Sequence, residues 1–186
     1  MVNKRRPIPV PGYEAPDLER SAIRNVNGQP VRAAVARALE KMQQDAVAAV
    51  GSSFAICSGY RPYDTQVRVY NGFLNDQGRE YADSYSARPG HSEHQLGLAV
   101  DLVAENEGCA LDTWAATPAG QWVHANAHKY GFVLRYPEGR QYITGYAYES
   151  WHFRFVGVEM AMEMKQSGEI TLEEFFGLPA APGYAK

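Results

Sequence analysis

An α+β fold, a small central antiparallel sheet flanked by helices, follows from three observations. The chain has 186 residues, about one domain's worth, because single cores usually divide only beyond roughly 250 residues. Its composition, 45% apolar and 21% charged, is that of a globular protein and not of a disordered one. Short apolar runs with strand character are scattered among helical ones, with connections often too short for repeated strand–helix–strand crossovers.

Residues 1–30 are rich in Pro, Gly and Asn, lack sustained periodicity and read as an extended arm lying over a domain that spans 31–186. Over 31–50, Val31, Val35, Ala38, Leu39, Met42, Ala46 and Ala49 recur at three- and four-residue steps, which predicts an amphipathic helix stopped by Gly51. Residues 54–57 read as a short strand, and Pro62 then opens a second helix through about Asn75, ending near Gly78. The stretch 79–95 reads as irregular, with turn chemistry at Arg88-Pro89-Gly90. Residues 98–103 are apolar on both alternating faces, the pattern of a buried central strand, with Asp101 as their one charge. Thr117-Pro118 starts a helix whose body runs from Gln121 to Tyr130 and stops at Gly131. Residues 132–135 and 151–155 read as two more strands separated by a tyrosine-rich loop, and 157–166 and 171–176 as short closing helices.

Eighteen Lys and Arg against 21 Asp and Glu give a net charge of −3, with no long block of one sign, which speaks against nucleic acid as a partner. No apolar run approaches the roughly 20 residues of a membrane-spanning helix. The start carries Lys4-Arg5-Arg6 but not the apolar stretch of roughly 7–15 residues of a secretory signal, so no leader is visible in this chain. Cys57 and Cys109 are too few and too far apart for a cysteine zinc site; they read as two free, half-buried thiols, with a single bridge left open. No heptad or long apolar edge predicts an oligomer, and a monomer is expected.

Asp101 is the first chemical anomaly. An ionised carboxylate inside an apolar strand is costly unless it is paired, hydrogen-bonded or metal-bound. His94, seven residues earlier, can converge on it only from a loop before the strand, and Gly97 between them allows that bend. A second cluster, Glu149-Ser-Trp-His152, precedes another apolar strand. A kink at Ser150-Trp151 is predicted, because residues three apart do not share a face of a straight strand. His94, Asp101 and His152 supply the three-ligand set of a zinc peptidase, and Glu149 the carboxylate that takes a proton from water. Each residue also has a plain alternative: a buried Arg partner for Asp101, a hydrogen-bonded core imidazole for His152, a solvated loop for Glu149.

Arg61 stands at a strand-to-helix turn, where a guanidinium suits a substrate carboxylate or an oxyanion, or else a surface salt bridge. Gln66, one turn into the next helix, shares that pocket. Tyr136, Tyr142, Tyr146 and Tyr148 form one aromatic wall for a peptide or glycan, or simply pack their loop. His124 and His128, four apart on a helix, lack the intervening Glu of a metallopeptidase motif and read as exposed or capping histidines. His91 reads as loop packing.

With these residues in view, the sequence resembles the VanY-type D-alanyl-D-alanine carboxypeptidases, zinc peptidases related to lysostaphin-like enzymes and the Hedgehog signalling domain. The resemblance rests on Ser58-Gly-Tyr-Arg-Pro with Gln66, on Pro89-Gly-His-Ser-Glu-His-Gln-Leu-Gly-Leu-Ala-Val-Asp101 and on Ile143-Thr-Gly-Tyr-Ala-Tyr-Glu-Ser-Trp-His152, in that order over about residues 30–175. It implies a Hedgehog/DD-peptidase-like fold and one zinc ion on His94, Asp101 and His152, with Glu149 as catalytic base. It further implies that Arg61 polarises the scissile carbonyl or holds the terminal carboxylate, while Ser92 and Gln66 position the substrate. The substrate implied is a peptidoglycan stem peptide or another D-Ala-terminated peptide, met in the cell envelope or outside the cell. An L,D-carboxypeptidase, a peptidoglycan endopeptidase and a non-catalytic cell-wall-binding module held by zinc are the competing expectations. The retained Glu149 speaks against the last, which needs no base.

Overall fold

The computed structural model describes residues 1–10 and 12–185. In chain order its elements are β1 (Leu18–Glu19), β2 (Val31–Arg32), α1 (Ala33–Val50), β3 (Phe54–Ser58), α2 (Tyr63–Tyr85), β4 (Ala99–Ala104), α3 (Pro118–Asn126), β5 (Phe132–Leu134), α4 (Gln141–Thr144), β6 (His152–Phe155), α5 (Val158–Ser167) and α6 (Leu172–Phe175), with 3₁₀ turns at Glu93–Leu96, Leu111–Ala116 and Ala127–Tyr130. The central sheet has the order β3-β4-β6-β5, and every neighbouring pair is antiparallel. The α+β reading and the small antiparallel sheet are therefore what the chain forms.

Alternation along the strands separates two faces. Phe54 and Ile56 of β3, Val100 and Leu102 of β4, Phe132 of β5 and Phe153 of β6 join Val35, Leu39 and Met42 of α1 and Val123 of α3 in one core. The intervening residues point the other way. Ala55, Cys57 and Val103 make a small second cluster there, and Asp101 and His152 lie opposite one another in the β4–β6 register. The helices thus bury one face of the sheet and leave the other to carry polar side chains.

Two expectations need correction. The helix foreseen to end near Gly78 does break there, with φ 81° and ψ 173°, but restarts at once, so that 79–85 is helical and not irregular. There Tyr81 and Tyr85, one turn apart, stack at 4.5 Å. Cys57 and Cys109 are not free thiols but a disulfide, with Cα atoms 5.3 Å apart. The antiparallel pairing of β3 with β4 explains it. Phe54 sits opposite Ala104, so the segment leaving β4 can fold back along β3 to reach Cys57.

The described residues among the first thirty lie along this framework. Residues 24–26 hydrogen-bond to Ile56 on the outer edge of β3, through Val26 N to Ile56 O (2.8 Å) and Ile56 N to Arg24 O (2.9 Å), covering an otherwise open strand. Ile23 enters the main core. Lys4 Nζ donates to the carbonyls of Asp83 and Gly145, tying the end of α2 to the loop that leads to Glu149.

Candidate active site

Three turns bring the polar residues together. In the first, Ser58-Gly59-Tyr60-Arg61, a Cβ at Gly59 would lie 2.7 Å from Pro30 O, so only glycine fits. The Gly59 carbonyl accepts from His94 Nδ1 (2.8 Å), and Arg61 N donates to His94 O (3.2 Å). Because a carbonyl can only accept, His94 carries its proton on Nδ1 and turns the lone pair of Nε2 inward.

The second turn is the 3₁₀ segment Glu93–Leu96, ended by Gly97 at φ 67°, which delivers His94 just ahead of β4 as the spacing predicts. The third is the kink at Ser150-Trp151, where His152 N donates to Glu149 O (3.3 Å) before β6 begins. It places Glu149 Oε2 3.4 Å from His152 Nδ1.

His94, Asp101 and His152 converge, each offering a donor atom within 4.8 Å of the others, and all three are buried. His94 Nε2 faces Asp101 Oδ2 at 3.3 Å, and His152 Nδ1 faces Asp101 Oδ1 at 3.2 Å. With Nδ1 of His94 already protonated, an imidazole lone pair and a carboxylate oxygen point at one another, and Asp101 Oδ1 has no hydrogen-bond partner. A cation resolves both conflicts, so two nitrogens and a carboxylate form a donor set fitted to a divalent metal.

Burial works against the charge on Asp101, but His94 and His152 beside it hold its carboxyl well below the usual range. Burial pushes the Glu149 carboxyl up to about 8, with Asp101 adding to the shift and His152 and Arg61 opposing it. Burial also disfavours a charged His152, yet Asp101 and Glu93 overcome this and raise it to about 9.

These groups floor a cavity of about 530 Å³, walled on one side by Phe73, Tyr81 and Tyr85 of α2 and on the other by the segment from Cys109 to Thr113. Arg61 lines it, with Nη2 3.9 Å from Asp101 Oδ2, and Ser92 lines it too. Gln66 does not. It is fully buried, accepts from Arg61 Nη1 (2.8 Å) and donates to Ser86 Oγ (3.2 Å) and Ala87 O (2.6 Å). With every polar atom engaged, it holds the guanidinium from behind the cavity wall. The tyrosines divide: Tyr136 and Tyr146 line the cavity, while Tyr142 and Tyr148 are exposed outside it.

His91 packs its loop, bonding Asn3 O (2.8 Å) and standing edge-on to Tyr184. His124 and His128 are half-buried along a smaller cavity of about 290 Å³, and no third ligand accompanies them among the described residues. Glu93, not singled out in the sequence, lies at the cavity floor between Arg135 and Arg154.

Known proteins share this architecture. The family model VanY, D-alanyl-D-alanine carboxypeptidase, matches residues 28–158. The putative carboxypeptidase YodJ of Bacillus subtilis is 39% identical over 182 residues, covering 95% of this chain and 66% of that protein. Among solved structures, the LdcB LD-carboxypeptidase superposes with a TM-score of 0.85 at 37% identity over 95% of this chain and 84% of that one. A mutant of the D,D-pentapeptidase VanY from a VanB-type resistance cassette, in complex with Zn(II), superposes with a TM-score of 0.78 at 31% identity, covering 95% and 97%. The chain thus spans about two thirds of the length of YodJ and less of other curated relatives, down to 42% of a D-alanyl-D-alanine carboxypeptidase of Enterococcus faecium. With a family match over most of its length and the three turns that family's motifs would build, the chain belongs to the VanY D-alanyl-D-alanine carboxypeptidase family.

Proposed function

We propose that this protein is a zinc-dependent carboxypeptidase that removes the terminal D-alanine from peptidoglycan stem peptides. The observation that carries the reading is the convergence of His94, Asp101 and His152 with Glu149 in one cavity, supported by the family match and by the Zn(II) complex of the VanY relative. One ion suffices, since one three-donor cluster exists among the described residues. Zinc held there would supply a Lewis acid and lower the pKa of a water molecule toward neutrality.

The chain's own groups do the rest. Glu149, 3.4 Å from His152 Nδ1, takes the water proton and returns it to the leaving amine. Arg61, fixed by Gln66, offers its remaining N–H groups to the developing oxyanion or to the substrate's terminal carboxylate. Ser92, buried at the cavity edge, positions the peptide. Every one of these groups comes from one chain, so a monomer is sufficient, with 31–186 as the catalytic unit and 1–30 as the arm along it. Stem peptides belong to the cell envelope, and the Cys57–Cys109 bridge suits an oxidising compartment. No helix of the described residues is long and apolar enough to cross a membrane.

An L,D-carboxypeptidase is the second reading, favoured by the likeness to LdcB. Mass spectrometry of products from penta-, tetra- and tripeptide stems, with and without a chelator, separates them. Loss of D-alanine from the pentapeptide, abolished by chelation, is the expected result; trimming of the tetrapeptide alone selects the L,D activity, and an internal cut or no cleavage overturns both.

A further inference from the structure

We infer that Glu93 is a positioning residue for His152, its Oε2 placed to receive the Nε2–H of the imidazole when Nδ1 meets the metal. The inference rests on the zinc reading above and adds to it a residue behind the ligands.

Glu93 has no exposed side-chain surface. Its Oε1 accepts from both Arg135 Nε (3.0 Å) and Arg154 Nη1 (2.8 Å). Its Oε2 has no hydrogen-bond partner and faces His152 Nε2 at 3.9 Å, and that nitrogen is likewise buried and unpartnered. A lone acceptor and a lone donor, both shut away from water, therefore stand opposite each other on the side of the ring away from Asp101. A singly protonated imidazole that ligates through Nδ1 carries its proton on Nε2, and a buried carboxylate there fixes both tautomer and ring orientation. The arrangement mirrors His94, whose rear nitrogen is held by the Gly59 carbonyl. One 3₁₀ turn thus supplies a ligand, His94, and the support of another ligand, through two consecutive side chains. Both guanidiniums sit on Oε1, which leaves Oε2 as the acceptor that faces the ring. On the far side, Arg135 also binds both carboxylate oxygens of Glu173 in α6 (2.9 and 2.8 Å), so the same network has a member that does not face His152.

That member provides the control. Zinc affinity of the full chain is measured by competition with a chromophoric chelator for the unsubstituted protein, Glu93→Gln and Glu173→Gln, alongside circular dichroism and thermal unfolding. An amide has one acceptor oxygen and cannot serve two arginines and the imidazole together. Glu93→Gln should therefore weaken zinc binding by about 10–100-fold. Glu173→Gln, even where it lowers the unfolding temperature, should bind zinc as the unsubstituted chain does. Normal affinity in Glu93→Gln, or equal losses in both variants, overturns the inference and leaves the metal site standing. An unsubstituted chain that binds no zinc overturns the metal site itself. Should Glu93→Gln fail to fold, ¹⁵N spectra of the histidine rings in the zinc-loaded protein decide: a proton on His152 Nε2 is expected, and its absence overturns the assignment.

Discussion

Glu149 is buried with its carboxyl pushed up to about 8, so at neutral pH the metal-free protein holds it protonated. A dication beside it favours the anion, which arms the base only where zinc is present. Replacing it with Gln should leave zinc bound and lower kcat by about 10²–10⁴; near-normal turnover in steady-state assays would remove Glu149 from the mechanism. The same shift has a stability consequence. The folded value lies above the ordinary 4.5, so the contribution is fully present below pH 4.5 and is lost as pH rises through about 8. Metal-free Glu149→Gln should match the unsubstituted protein near pH 4.5 and melt higher at pH 8, by roughly 2–4 °C for each kcal/mol relieved, as calorimetry can show. His152, raised to about 9, must lose its proton to ligate. Zinc affinity should therefore climb by up to about a hundredfold per pH unit below pH 8, where Glu149 and His152 both give up a proton, and about tenfold from pH 8 to 9, where His152 alone does; a chelator-competition profile flat between pH 8 and 9 would mean that His152 is not a ligand.

Short turns do the positioning, and glycines decide them. Gly97 adopts φ 67°, and a Cβ there would lie 2.9 Å from Arg32 Cγ and 3.0 Å from Leu18 Cδ2. Gly97→Ala should cost about 1 kcal/mol or more in denaturant unfolding. It should also weaken zinc binding, because His94 rides on the same turn; unchanged affinity would show that the turn can shift independently of the ligand. Turns of this kind were readable in the sequence where one chemical constraint dominated. Asp101 stood out as the one charge in an apolar strand, and the odd spacings to His94 and from Glu149 to His152 forced loops where the structure has them. The second half of α2 was hidden because Gly78 breaks the helix yet lets it restart within one residue. Glu93 was hidden for another reason: its partners Arg135, Arg154 and His152 come from distant stretches that only the β4–β6–β5 pairing brings to it. Gln66 was legible as a neighbour of Arg61, but not its orientation, since the bonds to Ser86 and Ala87 depend on how α2 ends.

The whole cleft depends on two walls held at a fixed distance from the sheet, one made by α2 and the other by the segment Cys109–Thr113. The second wall includes little regular structure before the turn at Leu111–Ala116, and Cys109 pins it to β3 across a sequence separation of 52. Closing a loop of that length restricts the unfolded chain by about 4 kcal/mol in the chain-entropy account. Replacing both cysteines with Ala should therefore lower the unfolding temperature by roughly 8–16 °C, at about 2–4 °C per kcal/mol for a protein of this size. The three donor atoms of His94, Asp101 and His152 sit on elements that carry neither cysteine, and the β3–β4 pairing and the Gly59 carbonyl that back Asp101 and His94 are held by backbone hydrogen bonds, so zinc affinity should survive the substitution. Substrate binding should not, because Leu111, Asp112 and Thr113 line the cavity beyond the bridge. The expected kinetic signature is a raised KM with kcat nearly preserved. A fall in kcat with loss of zinc would instead mean that the bridge supports the metal site, and an unchanged KM would mean that this wall touches no substrate.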